Sequence, residues 1–196
     1  MKRKGEVYRK TTETEITLSI NLDGSGMADL ATSIPFLDHM LNLFARHSGV
    51  DLFIRSQGDT QIDDHHLAED LGICLGEAVN RALGDKGGIN RYGSVLIPMD
   101  ETLCSAAVDL SGRPYLVYHS TLKDRKIGGF DSSLLREFFK AFTDHARVTL
   151  HLNVLYGRNS HHMAEAMFKA FAHAFKEAVV RQGQKKGVLS TKGSLD

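Results

Sequence analysis

The sequence predicts an α+β protein: an internally duplicated, two-layer α/β sandwich. Strand and helix patterns occur in the same order twice, and matching segments lie a nearly constant distance apart. Each half also carries one copy of H-H-x-x-E at the head of an amphipathic helix. Strands that alternate in hydropathy need a helical layer to cover their apolar face, hence the sandwich.

In chain order, TEITLSINL (14–22) alternates with period two and reads as a half-buried strand, closed by the turn signal DGSG (23–26). PFLDHMLNLFARH (35–47) has Pro near its start and apolar residues at helical spacing. VDLFIRS (50–56) is a short strand, and DDHHLAEDLGICLGEA (63–78) opens the next helix. LGDKGGINRYG (83–93) reads as a Gly-rich connection between halves. The order then repeats. ETLCSAAVDLSGRPY (101–115) is an alternating strand with a Ser-Gly turn, KIGGFD (126–131) a loop, and SSLLREFFKAFTDHA (132–146) a helix. VTLHLNV (148–154) is a strand, and NSHHMAEAMFKAFAHAF (159–175) a helix.

Val50 matches Val148, an offset of 148 − 50 = 98, and His65 matches His161, an offset of 161 − 65 = 96. The two-residue difference fits in the loop, where SQGDTQIDD is longer than LYGRNS. One domain, 1–196, is therefore expected: repeats at about 10–93 and 94–183, then a basic, Gly/Ser-rich tail, 184–196, that leaves its helix near Gly183.

The 196 residues include 24 Lys+Arg and 24 Asp+Glu, so no global charge draws the chain to nucleic acid or a membrane. No apolar run approaches the roughly 20 residues of a transmembrane helix. The basic start MKRKGEVYRKTTETE has no apolar segment behind it, so secretion is not expected. Cys74 and Cys104 sit in apolar contexts and read as core residues in a reducing compartment. A cytoplasmic protein is expected.

On a helix, residues four apart share a face while neighbours diverge by about 100°. His65 and Glu69 can grip one ion, as can His161 and Glu165; His66 and His162 point elsewhere. Two such helices related by duplication suggest exchange, each ion taking a His/Glu pair from one helix and the odd histidine from the other. His39 plus the offset of 98 lands on Glu137, which completes two sets: His39, His66, His161, Glu165 and Glu137, His65, His162, Glu69. Imidazole and carboxylate without thiolate suit Mn, Fe, Co or Ni. A lone H-H pair at a helix head would read as a polar terminus, with Asp63 or Asp64 capping it. Two copies at matched places do not. The H-E-x-x-H of zincins and the E-x-x-H pairs of ferritin-like bundles are absent. His47, two turns along from His39, is the remaining histidine of most interest.

PFLDHML (35–41), DDHHLAEDLG (63–72), DLSGRPY (109–115), NSHHMAEAMFKAFAHA (159–174) and STKG (190–193) resemble the imidazoleglycerol-phosphate dehydratase family of histidine biosynthesis, from about Arg9 to Gly193. The resemblance implies two Mn(II) ions per active site and a duplicated unit like domain 2 of ribosomal protein S5. It further implies a large symmetric homo-oligomer of twenty-four subunits with sites between subunits. The chemistry implied is dehydration of D-erythro-imidazole-glycerol phosphate to imidazole-acetol phosphate, the ions withdrawing charge from the imidazole as Lewis acids. Glu13 in TTETE matches a substrate-contacting glutamate, and Glu13, Glu69 and Glu165 are the candidate acid/base groups. His39 and His47 fall on the substrate side. Arg91, Arg113, Ser190, Thr191 and Lys192 match the phosphate side, where forked or point-charge cations are needed, and STKG would order over bound substrate. Glu137 departs from the pattern, since many members carry His there. No fused phosphatase is evident, so a monofunctional chain is expected.

Two other readings use the same residues. A di-metal hydrolase would activate water against a phosphorylated small molecule, and a metal-binding oligomer would need no substrate. The phosphate-side cations argue against the second.

Overall fold

The computed structural model describes residues 3–123, 125–183 and 187–195, so residues 184–186 and 196 of the expected tail lie outside the described residues. The elements run β1 (Lys4–Lys10), β2 (Thr14–Asn21), β3 (Ala28–Ala31), α1 (Pro35–Ser48), β4 (Asp51–Gly58) and α2 (His65–Leu83) in the first repeat. The second contains β5 (Tyr92–Met99), β6 (Thr102–Asp109), β7 (Tyr115–His119), β8 (Lys126–Ile127), β9 (Phe130–Asp131), α3 (Leu134–Ala146), β10 (Thr149–Tyr156) and α4 (Ser160–Val179).

The two sheets have matching orders, β1-β2-β4-β3 and β5-β6-β10-β7, each antiparallel except for a last parallel pair. The duplicated α+β sandwich is therefore present, with one refinement. The helices of each repeat pack on their own sheet, and the repeats meet helix to helix, α1 on α4 and α2 on α3. The order is sheet, helices, helices, sheet.

Several segments depart from the sequence reading. The 83–93 connection ends inside a strand, because Tyr92 and Gly93 open β5. KIGGFD is a small hairpin, β8 with β9, with Gly128 at φ 62° in the turn. Strands β1, β3, β5 and β7 were not anticipated. α4 ends at Val179, short of Gly183, and Arg181 then bridges to Ile89.

Local chemistry explains the close packing. Gly5 on β1 lies against the Ala78 carbonyl of α2, and Gly93 on β5 against the Ala174 carbonyl of α4; any Cβ would overlap those oxygens. The helix seam has the same requirement, since Cβ atoms on Gly72 and Gly76 would stand 2.5 and 2.6 Å from the carbonyl oxygens of Phe138 and Phe142. Where α1, α3 and α4 converge, the core is aromatic. Phe44 stacks on Phe171 at 5.0 Å between ring centres, and Phe142 meets Phe171 edge-on at 5.0 Å. Burying such rings is worth about 1.5–3 kcal/mol each before edge and stacking terms. Cys74 and Cys104 are buried and unpaired, and burial pushes both thiols up to about 12, so they are inert core residues. No described helix is long and apolar enough to cross a membrane.

Candidate active site

The two H-H-x-x-E helices begin with different locks. Asn159 caps α4, its side-chain oxygen accepting from the backbone N–H groups of His161 (2.9 Å) and His162 (3.4 Å). At α2 the equivalent bond comes from Asp63, whose carboxylate accepts from His65 N–H at 2.8 Å. Each bond holds the first helical turn, and with it the divergence of the paired histidines; Asp63 does so from the position before the N-cap, Asp64, whose own side chain makes no capping bond.

Because α1 lies on α4, His39 faces the His161/Glu165 pair. His161 Nε2 is 3.4 Å and His39 Nε2 3.8 Å from Glu165 Oε2, and one ligand atom from each residue falls within 4.8 Å of the others. Three atoms of two imidazoles and a carboxylate around one point fit a divalent ion of borderline hardness. Lys169, one turn on, donates to Glu165 Oε1 at 2.7 Å. Burial pushes the Glu165 carboxyl up, but the Lys169 bond and charge, with the two histidines, outweigh it and hold the group below its usual range.

The eight expected ligands do not close into two sets of four within one chain. His66, expected beside His39, instead meets Asp59 (Nδ1 to Oδ2, 3.0 Å), with Glu13 Oε2 at 3.8 Å; Glu13, Asp59 and His66 form a second ligand-like group. Of the other set, His65 and Glu69 stand together, Nε2 to Oε2 at 3.7 Å. Glu137, on the first turn of α3, accepts from Arg136 at 3.1 Å, and His162 turns to Glu101, Nδ1 to Oε2 at 2.8 Å. The odd histidine of each helix does point away from its own cluster, but α2 packs on α3 and α4 on α1, so within one chain it meets a nearby carboxylate and not the other helix's cluster. The hydrogen bond to Asp59 raises the His66 pKa above its ordinary value, and that to Glu101 does the same for His162. In return His162, then the backbone N–H groups of Asn159 and Arg158, hold Glu101 far below the carboxylate range.

The phosphate-side residues gather elsewhere. Arg91 is buried and forks onto Asp109 at 2.6 and 3.0 Å, with Arg113 3.5 Å from the same carboxylate. Arg91 Nη1 also donates to the Leu189 carbonyl at 2.7 Å, and Gly88 N–H to that of Gly187 at 2.8 Å, so the chain running to Ser190, Thr191 and Lys192 is already tethered. Ser190 Oγ accepts from Lys192 N–H at 3.1 Å. Arg91 N–H bonds the Ala178 carbonyl, at the last turn of α4. The metal-type cluster sits at the first turn. Seventeen residues (178 − 161) of helix separate them, about 25 Å.

His47 lies midway, its Nδ1 3.2 Å from Nε2 of His173. Four residues of evident relevance were not singled out from the sequence: Asp59, Glu101, Lys169 and His173. Lys169 repeats the four-residue spacing of His161 and Glu165. Glu101 is related to Glu13 by the strand offset, 102 − 14 = 88 between the first residues of β6 and β2.

A family model, imidazoleglycerol-phosphate dehydratase, matches residues 32–175. An imidazoleglycerol-phosphate dehydratase of Syntrophus aciditrophicus is 58% identical over 194 residues, covering 98% of each chain. That of Acetivibrio thermocellus is 54% identical over 195 residues and covers all of both. Among solved structures, the Staphylococcus aureus dehydratase superposes with TM-score 0.84 at 41% identity, over 91% of this chain and 99% of its own. The Pyrococcus furiosus protein, in complex with (S)-C348, gives 0.83 at 38%, over 96% and 100%.

Proposed function

This chain belongs to the imidazoleglycerol-phosphate dehydratase family, lyases of histidine biosynthesis, and from that premise we propose how it works. It dehydrates D-erythro-imidazole-glycerol phosphate to imidazole-acetol phosphate, with two Mn(II) ions per active site holding the imidazole. The observation that carries this reading is the convergence of His39, His161 and Glu165 from both repeats on one point.

His39, His161 and Glu165 would hold one ion, with His66 supplied by another copy of the chain. His65, Glu69 and Glu137 would hold the second, with another copy's His162. When bound, the ions withdraw charge from the imidazole and so acidify the neighbouring carbon. The chain's own residues do the rest. Lys169 keeps Glu165 ionised and oriented. Arg91, Arg113, Ser190, Thr191 and Lys192 take the phosphate, with His47 on the substrate side. Glu13, exposed and beside His66, is the group best placed to move a proton, with Glu69 and Glu165 committed to their histidines.

A separation of about 25 Å between metal-type and phosphate-type residues is far more than one substrate molecule spans. It supports a site assembled from several copies, in keeping with a twenty-four-subunit homo-oligomer. A cytoplasmic setting belongs to the same proposal.

The test is a product assay with added Mn(II) and a metal-free control. Formation of the ketone without inorganic phosphate is expected. Release of inorganic phosphate would instead favour the hydrolase reading.

A further inference from the structure

The duplication relates Glu13 to Glu101. Both immediately precede the second strand of a hairpin, at Thr14 and Thr102, and both approach the outward histidine of their own repeat. Their surroundings have diverged. Glu101 Oε1 accepts from the N–H groups of Arg158 (3.1 Å) and Asn159 (2.8 Å) and from the Thr102 hydroxyl (3.3 Å), which aims Oε2 at His162 Nδ1, 2.8 Å away. Glu13 is 3.8 Å from His66 Nδ1, beyond hydrogen-bond reach, and Asp59 makes that bond in its place.

We propose that Glu101 is a positioning residue: it fixes His162 as the tautomer protonated on Nδ1, leaving the Nε2 lone pair to bind an ion. Asp59 does the same for His66 and so releases Glu13 for proton transfer. An ionised carboxylate can only accept, so the ring nitrogen facing it must carry the proton. A partner of this kind fixes both the tautomer and the ring orientation of a ligand histidine. The inference rests on the reading of His66 and His162 as ligands.

The two carboxylates predict different responses to amide substitution. In Glu101→Gln, three donors still claim the Oε1 position, so the amide oxygen stays there and the NH2 group faces His162. Two donors cannot face each other, and the ring proton moves to Nε2, where the lone pair is needed. Asp59 has no such constraint, since its Oδ1 is buried without a hydrogen-bond partner. In Asp59→Asn the amide oxygen can keep facing His66.

Two measurements decide. In 15N spectra of histidine-labelled, metal-free wild-type protein, recorded at a pH high enough to leave His162 neutral and with His162 assigned by comparison with His162→Gln, an Nδ1–H ring is expected; an Nε2–H ring would overturn the proposal without recourse to any carboxylate variant. In chelator competition with Mn(II), Glu101→Gln should bind one ion per chain about 10- to 100-fold more weakly, while Asp59→Asn stays near wild type. Metal-free Glu101→Gln should melt close to wild type, because the three donors keep their acceptor. If His162→Ala loses Mn(II) affinity and Glu101→Gln does not, Glu101 does not position the ligand. If His162→Ala keeps full affinity, the ligand reading itself fails and the proposal with it.

Discussion

Nδ1 of His47 stands 3.2 Å from Nε2 of His173, across the seam where α1 meets α4. One ring donates and the other accepts, so at least the accepting ring is neutral. Burial lowers the pKa of both; the charge of His173 adds to this at His47, and that of Lys176 at His173, with Lys169, Arg46 and Glu165 also facing His47. Unfolded, each imidazole titrates near 6.5. Below that pH the unfolded chain binds more protons than the folded one, so this contribution is intact above about pH 6.5 and is lost as pH falls toward the folded values. His66 and His162, raised by their carboxylates, run the opposite way. A variant comparison isolates the pair: His173→Gln should lose less stability than wild type between pH 7.5 and 5.5, measured by urea unfolding of metal-free protein. Parallel losses would show that the pair does not titrate in this range.

Metal analysis should find two divalent ions per chain in active protein. Replacing either pair, His65-His66 or His161-His162, should abolish activity, because each helix serves both ions. One ion, or none, in fully active enzyme overturns this.

Glu137→His should keep metal and activity with a shifted pH–rate profile, since the repeat pairs position 137 with His39. Glu137→Ala should lose metal. If the alanine variant keeps both its metal content and its rate, Glu137 is no ligand.

Gly93→Ala places a methyl group on the Ala174 carbonyl and forces β5 off α4. Overpacking of this sort costs about 1–3 kcal/mol, and each kcal/mol lowers the melting temperature by roughly 2–4 °C at this chain length. Gly129→Ala, with open space around it, is the control and should change little.

Stripping metal should shrink the particle, and restoring Mn(II) should rebuild it, because ligands supplied by different copies tie the copies together. Acidification toward pH 6.5 should act like chelator, since histidine must be neutral to ligate. Light scattering that reports one unchanged particle size would show that subunit contacts are independent of the ions.

The helices and central strands were legible because their apolar periodicity is strong: α1 begins at Pro35, as its sequence suggests, α2 begins at His65, and α4 begins at Ser160, one residue before its paired histidines. Edge strands were not. KGEVYRK is half charged, β3 has only four residues, and β5 contains Pro98, all tolerable at an edge and all poor strand signals. The offsets of 98 and 96 relate helices and the strands next to them. The hairpins follow a third offset, 88, so the kinship of Glu13 and Glu101 stayed hidden until β5 and β6 were placed. Asp59 lies in the loop after β4, where spacing carries no information. The ligand sets already brought His39 to His161 and Glu165 across the repeats, as the structure does; what they did not reveal was that whole helix faces pair this way, α1 on α4 and α2 on α3, since two amphipathic faces fit many partners equally well.

That crossed pairing also sets an order in time. His39 leaves the ribosome 161 − 39 = 122 residues before His161, roughly 6–25 s at ordinary synthesis rates. Throughout that interval α1 has its sheet but no partner for Phe44, and the first half of the cluster has no second half. The fold closes only as α4 emerges, so a truncated chain cannot trap an ion at a finished site, and a half-made product carries an open aromatic face that marks it as unfinished.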